Sequence, residues 1–74
     1  MKVRIKDWWE MAEEFGIDED GDINCYGSFT TDMKECCDKV IEVDDDIICV
    51  CDGVNVFMYD GWSFSEEMYE VIEE

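Results

Sequence analysis

The first residues of the chain alternate strictly between basic and apolar side chains. Val3 and Ile5 separate Lys2, Arg4 and Lys6 from one another, and a period of two is typical of a strand with one buried face. We therefore predict a strand over residues 2–6. Its three basic side chains should face solvent and pair with acidic neighbours.

Apolar residues then recur at helical spacing. The positions that share one helix face are Trp8, Met11, Ala12 and Phe15. Asp7 stands where an N-cap is expected and Gly16 where a helix commonly ends. The pattern predicts a helix over residues 8–15. Trp8 and Trp9 are adjacent and cannot both point inward, so we predict that one of them is exposed.

A polar loop with several glycines, residues 17–27, is predicted to lead into a short helix that begins near Phe29–Met33 and ends near Cys37. Three apolar runs then predict three strands: Lys39–Val43, Ile47–Cys51 and Val54–Tyr59. Asp44–Asp46 forms the first turn between them. Asp52-Gly53 forms the second and is a strong hairpin signal, because both residues tolerate a positive φ.

The final segment, Trp62–Met68, is interpreted as the start of a helix. Ser63 and Glu66 have the spacing of a capping box, and Ser65 is an alternative cap. Met68 with Val71 or Ile72 would give this helix one apolar side. The whole pattern predicts one α+β domain over residues 1–74: a small, strongly bent antiparallel sheet with two to three short helices.

Four segments resemble a group of small phage and mobile-element proteins that have an SH3-like barrel. These segments are Lys2–Trp8, Phe29-Thr30 with Met33, Cys37–Val40, and Asp60–Phe64 with Met68. The resemblance implies an SH3-like partial barrel, which would protect the sheet edges. It also implies a phage context, and it attaches no single activity.

The charge of the chain constrains its partners. Twenty-two acidic residues stand against five basic ones, the formal net charge is -17, and Lys39 is the last basic residue. Such a charge creates a negative field of several kT, which repels nucleic acids and anionic membranes and attracts basic clefts. The chain is 47% hydrophobic and 14% aromatic, which favours a folded domain over an acidic disordered tail. We therefore expect the partner to be a basic protein surface, and neither nucleic acid nor a membrane.

The acidic residues form three clusters without basic residues, at residues 10–22, 42–46 and 66–74. A solvated surface explains each cluster alone, but a charge of about 2 to 8 already keeps a small domain soluble. The predicted partner-binding residues are Glu13, Glu14, Asp18, Glu19, Asp20, Asp22, Asp44, Asp45, Asp46, Glu66, Glu67 and Glu70. An exposed Trp9 would anchor the contact, since tryptophan is common in interface hot spots.

Two kinds of chemistry have little support in the sequence. The chain contains no histidine, which removes the commonest general base at neutral pH, and we predict a protein that is not an enzyme. Asp18–Asp22 is similar to the start of an EF-hand calcium loop. However, Ile23 and Phe29 stand where that loop needs glycine and glutamate.

The five cysteines permit two interpretations. Cys49 and Cys51 are two residues apart on a predicted strand and therefore share a face. With Cys25 and Cys36 they would supply four thiolates for a structural zinc ion, leaving Cys37 in the core. The spacing of Cys49 and Cys51 is shorter than structural zinc sites usually have, so the alternative is that all five are reduced thiols.

Size, acidity and the resemblance to phage proteins together imply a function. The best match is a phage-type inhibitor, an anti-CRISPR protein that binds a basic surface of a Cas9-type effector and blocks DNA loading or recognition. The alternative is an SH3-like adaptor or structural module that binds a protein partner and whose acidity is incidental. With no apolar signal segment or 18-residue apolar run, we expect a cytoplasmic location in the host bacterium.

Overall fold

The computed structural model describes residues 1–73, which form six strands, one α-helix and three 3₁₀ helices. The strands are β1 (Lys2–Ile5), β2 (Val40–Glu42), β3 (Cys49–Cys51), β4 (Val54–Tyr59), β5 (Trp62–Ser65) and β6 (Tyr69–Glu73). The α-helix is α1 (Trp8–Phe15), and the 3₁₀ helices are Thr31–Cys36, Asp45–Ile47 and Glu66–Met68. The α+β class is therefore confirmed.

The strands divide between two antiparallel sheets of three strands each. Their orders are β2-β1-β6 and β3-β4-β5, so the prediction of one continuous sheet was too simple. β1 confirms the predicted alternation, because Val3 and Ile5 are fully buried while Arg4 faces outward. Its position between β2 and β6 brings distant parts of the chain onto one surface.

The predicted boundaries of α1 are confirmed, and the caps explain them. The side chain of Asp7 accepts a hydrogen bond from the backbone N–H of Trp9 at 3.2 Å. Glu10 accepts one from the N–H of Asp7 at 3.4 Å, which completes a capping box. At the other end Gly16 has a φ of 83° and donates to the carbonyl of Ala12. A residue with a side chain would be strained there.

The predicted helix at Trp62–Met68 is wrong. Asp60 and Gly61 have φ values of 53° and 83°, the geometry of a two-residue type I′ hairpin turn. The turn folds β5 back onto β4, so that Phe64 lies opposite Phe57. Ser65 precedes the 3₁₀ helix Glu66–Met68, but its hydroxyl donates to the carbonyl of Tyr26 at 3.0 Å and makes no capping hydrogen bond. The chain makes one 3₁₀ turn and continues as β6 against β1.

Other elements shift by a few residues. The helix predicted after Phe29 forms as the 3₁₀ helix Thr31–Cys36. The predicted strand Ile47–Cys51 begins at Cys49, because Ile47 closes the 3₁₀ turn that starts at Asp45. The Asp52-Gly53 hairpin is confirmed by φ values of 52° and 81°.

One hydrophobic core lies between the two sheets. Phe57 and Phe64 come from the second sheet, Tyr69 comes from the first, and Phe29 comes from the segment before the 3₁₀ helix. Their rings contact one another in tilted pairs with centroids 5.1–6.3 Å apart, an arrangement favoured by the ring quadrupoles. Ile23 is fully buried and pins the predicted loop at residues 17–27 to this core.

Candidate functional site

Arg4 lies at the centre of a cluster of carboxylates on the outer face of the first sheet. Its Nε is 2.6 Å from Glu70 Oε1, its Nη1 is 2.7 Å from Asp38 Oδ1, and its Nη2 is 3.1 Å from Glu10 Oε1. The hydrogen bonds that Arg4 donates to Glu70 and Glu10 raise the pKa of Arg4. The same contact with Arg4 lowers the pKa of Glu10. Three negative charges thus surround one positive charge.

The basic residues on either side of Arg4, in β1 and directly after it, also contact carboxylates, as predicted. Lys2 Nζ lies 3.9 Å from Glu73 Oε2, and Lys6 Nζ lies 3.5 Å from Glu14 Oε2. In the 3₁₀ helix Thr31–Cys36, Lys34 Nζ lies 4.4 Å from the centroid of the Trp8 ring, a cation–π contact. Four of the five basic side chains therefore contact a carboxylate or an aromatic ring.

Most acidic residues have no such partner. Of the 21 acidic residues in the described chain, six lie within 4.0 Å of a cationic group and the other 15 do not. Most of these 15 are exposed, so their charge reaches solvent without a neighbouring cation. The candidate site is therefore an acidic surface. Some of its carboxylates already accept hydrogen bonds or ion pairs within the protein, and others are free to bind a partner.

On α1, the predicted residues Glu13 and Glu14 are both exposed. Glu14 pairs with Lys6, whereas Glu13 has no cationic group within 4.0 Å among the described residues. The helix therefore presents one uncompensated carboxylate of the two.

In the loop that follows α1, the carboxylates have different roles. Asp18 Oδ1 accepts hydrogen bonds from the backbone N–H groups of Asp20 at 2.9 Å and Asp22 at 3.1 Å. Asp18 and Asp22 are half-buried, while Glu19 and Asp20 are exposed. Asp18 thus holds the turn together, and Glu19 and Asp20 carry its charge into solvent.

The second and third acidic clusters meet at a groove between the two sheets. The groove has a volume of about 520 Å³. It is lined by Met1, Asp45, Ile48, Glu66, Tyr69 and Val71, with Asn55 alongside. A smaller adjoining groove of about 400 Å³ shares Met1 and Asp45 and adds Val43 and Asp44. We call the two together the acidic groove; Asp46 is exposed beside it.

Two predicted residues of the C-terminal cluster have structural contacts instead. Glu67 Oε1 accepts a hydrogen bond from the backbone N–H of Tyr26 at 2.8 Å, and Glu70 is bound to Arg4. Glu66 makes only a long hydrogen bond, 3.4 Å, with the N–H of Asn55. Of Glu66, Glu67 and Glu70, Glu66 is therefore the carboxylate most available to a partner.

The prediction that one of two adjacent tryptophans is exposed is confirmed. Trp9 is 71% exposed, whereas Trp8 is 6% exposed. Trp8 packs against Phe29 in the core, with ring centroids 6.1 Å apart. The role of Trp9 as an anchor for a partner stays a prediction.

The five cysteines are all free thiols and occupy different environments. Cys36 is fully buried, Cys25 and Cys37 are half-buried, and Cys49 and Cys51 are exposed on β3. Burial raises the pKa of the Cys25 thiol to about 11, and it also raises the pKa of Cys36 and Cys37.

The predicted zinc ligands do not gather in one place within the described chain. Residues 1–73 hold no group of three or more cysteine, aspartate or glutamate side chains arranged to bind a metal ion. Zinc binding by Cys25, Cys36, Cys49 and Cys51 stays a prediction.

Sequence reasoning missed the apolar part of the acidic groove. Met1, Ile48, Tyr69 and Val71 come together only because β6 pairs with β1, and that strand had been predicted as a helix. The available signal was Asp60-Gly61, a second hairpin turn of the same type as Asp52-Gly53.

No helix among residues 1–73 combines the length and the apolar character needed to cross a membrane. Comparison with known proteins finds no matching family model, no matching curated protein and no matching solved structure.

Proposed function

We propose that this protein is a non-enzymatic inhibitor that binds the basic surface of a nucleic-acid-handling defence enzyme. In this proposal it is a phage-type anti-CRISPR protein that acts in the cytoplasm of the host bacterium. Its target is a guide-loaded Cas9-type effector, and it blocks DNA loading or recognition. The observation that carries the proposal is the uncompensated acidic surface.

The density of this charge supports competition with DNA. The longest dimension of the described chain is 34 Å, and its sequence carries a formal net charge of -17. Duplex DNA has one negative charge per about 1.7 Å of axis, and hence about 20 charges over an equal length. A channel that binds DNA through lysine and arginine therefore meets a comparable charge on this protein.

RNA-guided effectors offer such a surface, since they hold the guide–target heteroduplex in a positively charged channel. A rigid acidic domain placed there would neutralise the same lysine and arginine side chains as DNA does, without presenting a substrate. Binding should then be fast at low salt and should weaken steeply as salt increases.

We also propose that the two sheets form an SH3-like partial barrel. Their shared core supports this closure. So does the connection of β5 to β6 through a single 3₁₀ turn, which carries the chain from one sheet to the other. A closed arrangement protects strand edges and holds the acidic residues in fixed positions.

The alternative, an adaptor that binds a peptide, is favoured by one observation: Ile48, Tyr69 and Val71 are among the residues that line the acidic groove. The two functions differ in salt dependence. Apolar groove recognition changes little with ionic strength, whereas mimicry of nucleic-acid charge is lost at high salt.

The test is DNA cleavage by several guide-loaded Cas9 enzymes, with this protein added before or after the target DNA. A disordered acidic peptide of equal charge is the control. The proposal expects inhibition by the folded protein alone, and only when the protein is added first. An absence of inhibition of every enzyme at both orders of addition would reject it.

A further inference from the structure

We propose that the acidic groove receives an extended basic segment of the partner, which adds as a further strand to the free edge of β6. This inference rests on the proposed function, because it identifies the part of the partner that this chain binds. It commits to a peptide segment in which basic and apolar side chains alternate.

The hydrogen-bond register of β6 leaves backbone groups free. The N–H of Lys6 donates to the carbonyl of Met68 at 2.9 Å, and Arg4 lies opposite Glu70. In an antiparallel pair, hydrogen-bonded and non-hydrogen-bonded positions alternate. Tyr69 and Val71 are therefore the non-hydrogen-bonded positions, and their N–H and C=O groups point away from β1.

The two residues that carry these backbone groups lie at the acidic groove, where Tyr69 is buried and Val71 is exposed. β6 is the edge strand of its sheet, and Tyr69 and Val71 both line the groove. An open edge of this kind is a template for another strand. The alternate backbone groups of an added segment would meet those of Tyr69 and Val71.

The side chains of the groove select the chemistry of that segment. Asp44, Asp45 and Glu66 have no cationic group within 4.0 Å among the described residues. Met1 itself lines the groove, and its amino group pairs with Glu42 at 3.6 Å. Apolar side chains and carboxylates both line the groove, and a segment in which apolar and basic residues alternate would offer a match to each.

A second copy of this chain is a poor occupant. Each copy carries a net charge of -17, and pairing two β6 edges would bring Glu70 and Glu73 of one copy beside the same residues of the other. Like charges placed across a strand pair are destabilising. The geometry therefore favours a basic segment of a different protein.

The test uses a fluorescein-labelled nine-residue peptide in which lysine and valine alternate. Its affinity for the full chain is measured by fluorescence anisotropy, and amide hydrogen exchange at Tyr69 and Val71 is followed by NMR. The groove variant is Asp44→Asn with Asp45→Asn and Glu66→Gln. The matched control is Asp32→Asn with Asp60→Asn and Glu35→Gln, which removes the same charge at exposed positions outside the groove.

We expect the groove variant to bind the peptide about tenfold more weakly, and the control variant to change affinity by less than about threefold. Exchange of the Tyr69 and Val71 amides should slow by about tenfold when the peptide binds. A peptide with N-methylated alternate residues should give no such protection, because it cannot donate to the edge.

Equal losses in the two variants, or unprotected amides at Tyr69 and Val71, would overturn the inference. If that happens while the protein still inhibits an effector, the proposed function stands and the contact lies on another part of the acidic surface. If the peptide result holds but no effector is bound, the proposed function fails and the groove serves another basic partner.

Discussion

Arg4 Nε lies 2.6 Å from Glu70 Oε1, and this contact joins β1 to β6 through two residues that are 66 positions apart in sequence. The pair is only partly exposed, with 25% of the Arg4 side chain and 44% of the Glu70 side chain accessible. It fixes β6 against β1 and so determines which backbone groups of β6 face the acidic groove. Arg4 therefore neutralises part of the acidic surface and also holds β6 in position beside the groove.

Replacement of Arg4 tests its structural role. Arg4→Met keeps the aliphatic stem but leaves Glu10, Asp38 and Glu70 facing one another without a cation. We expect the free energy of unfolding to fall by about 2 kcal/mol, as measured by urea denaturation. Lys39→Met is the control, because Lys39 is exposed and has no carboxylate within 4.0 Å among the described residues. Equal stability of the two variants would contradict the role of Arg4.

Charge reversals in the C-terminal cluster should separate structural from available carboxylates. Glu70→Lys places a second cation beside Arg4 and should lower the free energy of unfolding by about 1 kcal/mol or more. Glu66→Lys should change the free energy of unfolding by less than about 0.5 kcal/mol. Glu66 is exposed and has no cationic group within 4.0 Å among the described residues. Thermal unfolding followed by circular dichroism measures both. A larger loss of stability in Glu66→Lys than in Glu70→Lys would show that Glu66, and not Glu70, has the structural role.

The pH dependence of stability should reflect Glu10. Its pKa is lower in the folded state, chiefly because Arg4 donates a hydrogen bond to it. A carboxyl with a lowered folded pKa contributes stability above its ordinary value of about 4.3, and that contribution disappears as pH falls through the folded value.

Glu10→Gln isolates this effect because the amide keeps an acceptor for the capping box. The stability difference between the native chain and Glu10→Gln should be constant near pH 7 and should shrink below about pH 4. Urea denaturation at a series of pH values measures it. A difference that grows as the pH falls would have the wrong sign.

Thiol labelling should follow the environments of the cysteines. Cys49 and Cys51 are exposed on β3, and Cys36 is fully buried. Because the thiolate is the reactive form and burial raises the pKa of Cys25, Cys36 and Cys37, two thiols should react fast in the folded protein and three slowly. Mass spectrometry after brief iodoacetamide treatment identifies them. Equal rates at all five cysteines would contradict the described burial.

The same labelling bears on the zinc prediction. A zinc ion held by Cys25, Cys36, Cys49 and Cys51 would protect Cys49 and Cys51 and would appear in stoichiometric amount by elemental analysis of unchelated protein. Unchanged labelling after zinc addition, with no stoichiometric metal, would remove that interpretation.

Local patterns in the sequence were sufficient for the N-terminal half of the fold. The alternation of Lys2–Lys6 and the cap residues Asp7 and Gly16 fixed β1 and α1, because the signals lie within a few residues of the elements they define. Trp62–Met68 was misjudged for a different reason. Its helix-like caps are local, and they competed with an equally local hairpin turn that pairs Phe64 with Phe57. The pairing of Tyr69 with Ile5 depends on a strand that is distant in sequence.

The acidic character of the surface was likewise readable from composition, but its organisation was not. Asp45 and Glu66 are 21 positions apart in sequence and line one groove. Glu67, next to Glu66, instead accepts a hydrogen bond from the backbone N–H of Tyr26. Which carboxylates are free depends on where the few basic and backbone donors lie. That arrangement follows from the packing of both sheets on one core.

The measurement that bears most directly on the central claim is the binding of this protein to a guide-loaded Cas9-type effector over a series of salt concentrations, in competition with target DNA. We expect the association constant to fall linearly with increasing salt on a log–log plot and bound protein to be displaced by DNA. An association constant that changes neither with salt concentration nor with added target DNA would contradict the claim that the acidic surface occupies a nucleic-acid channel.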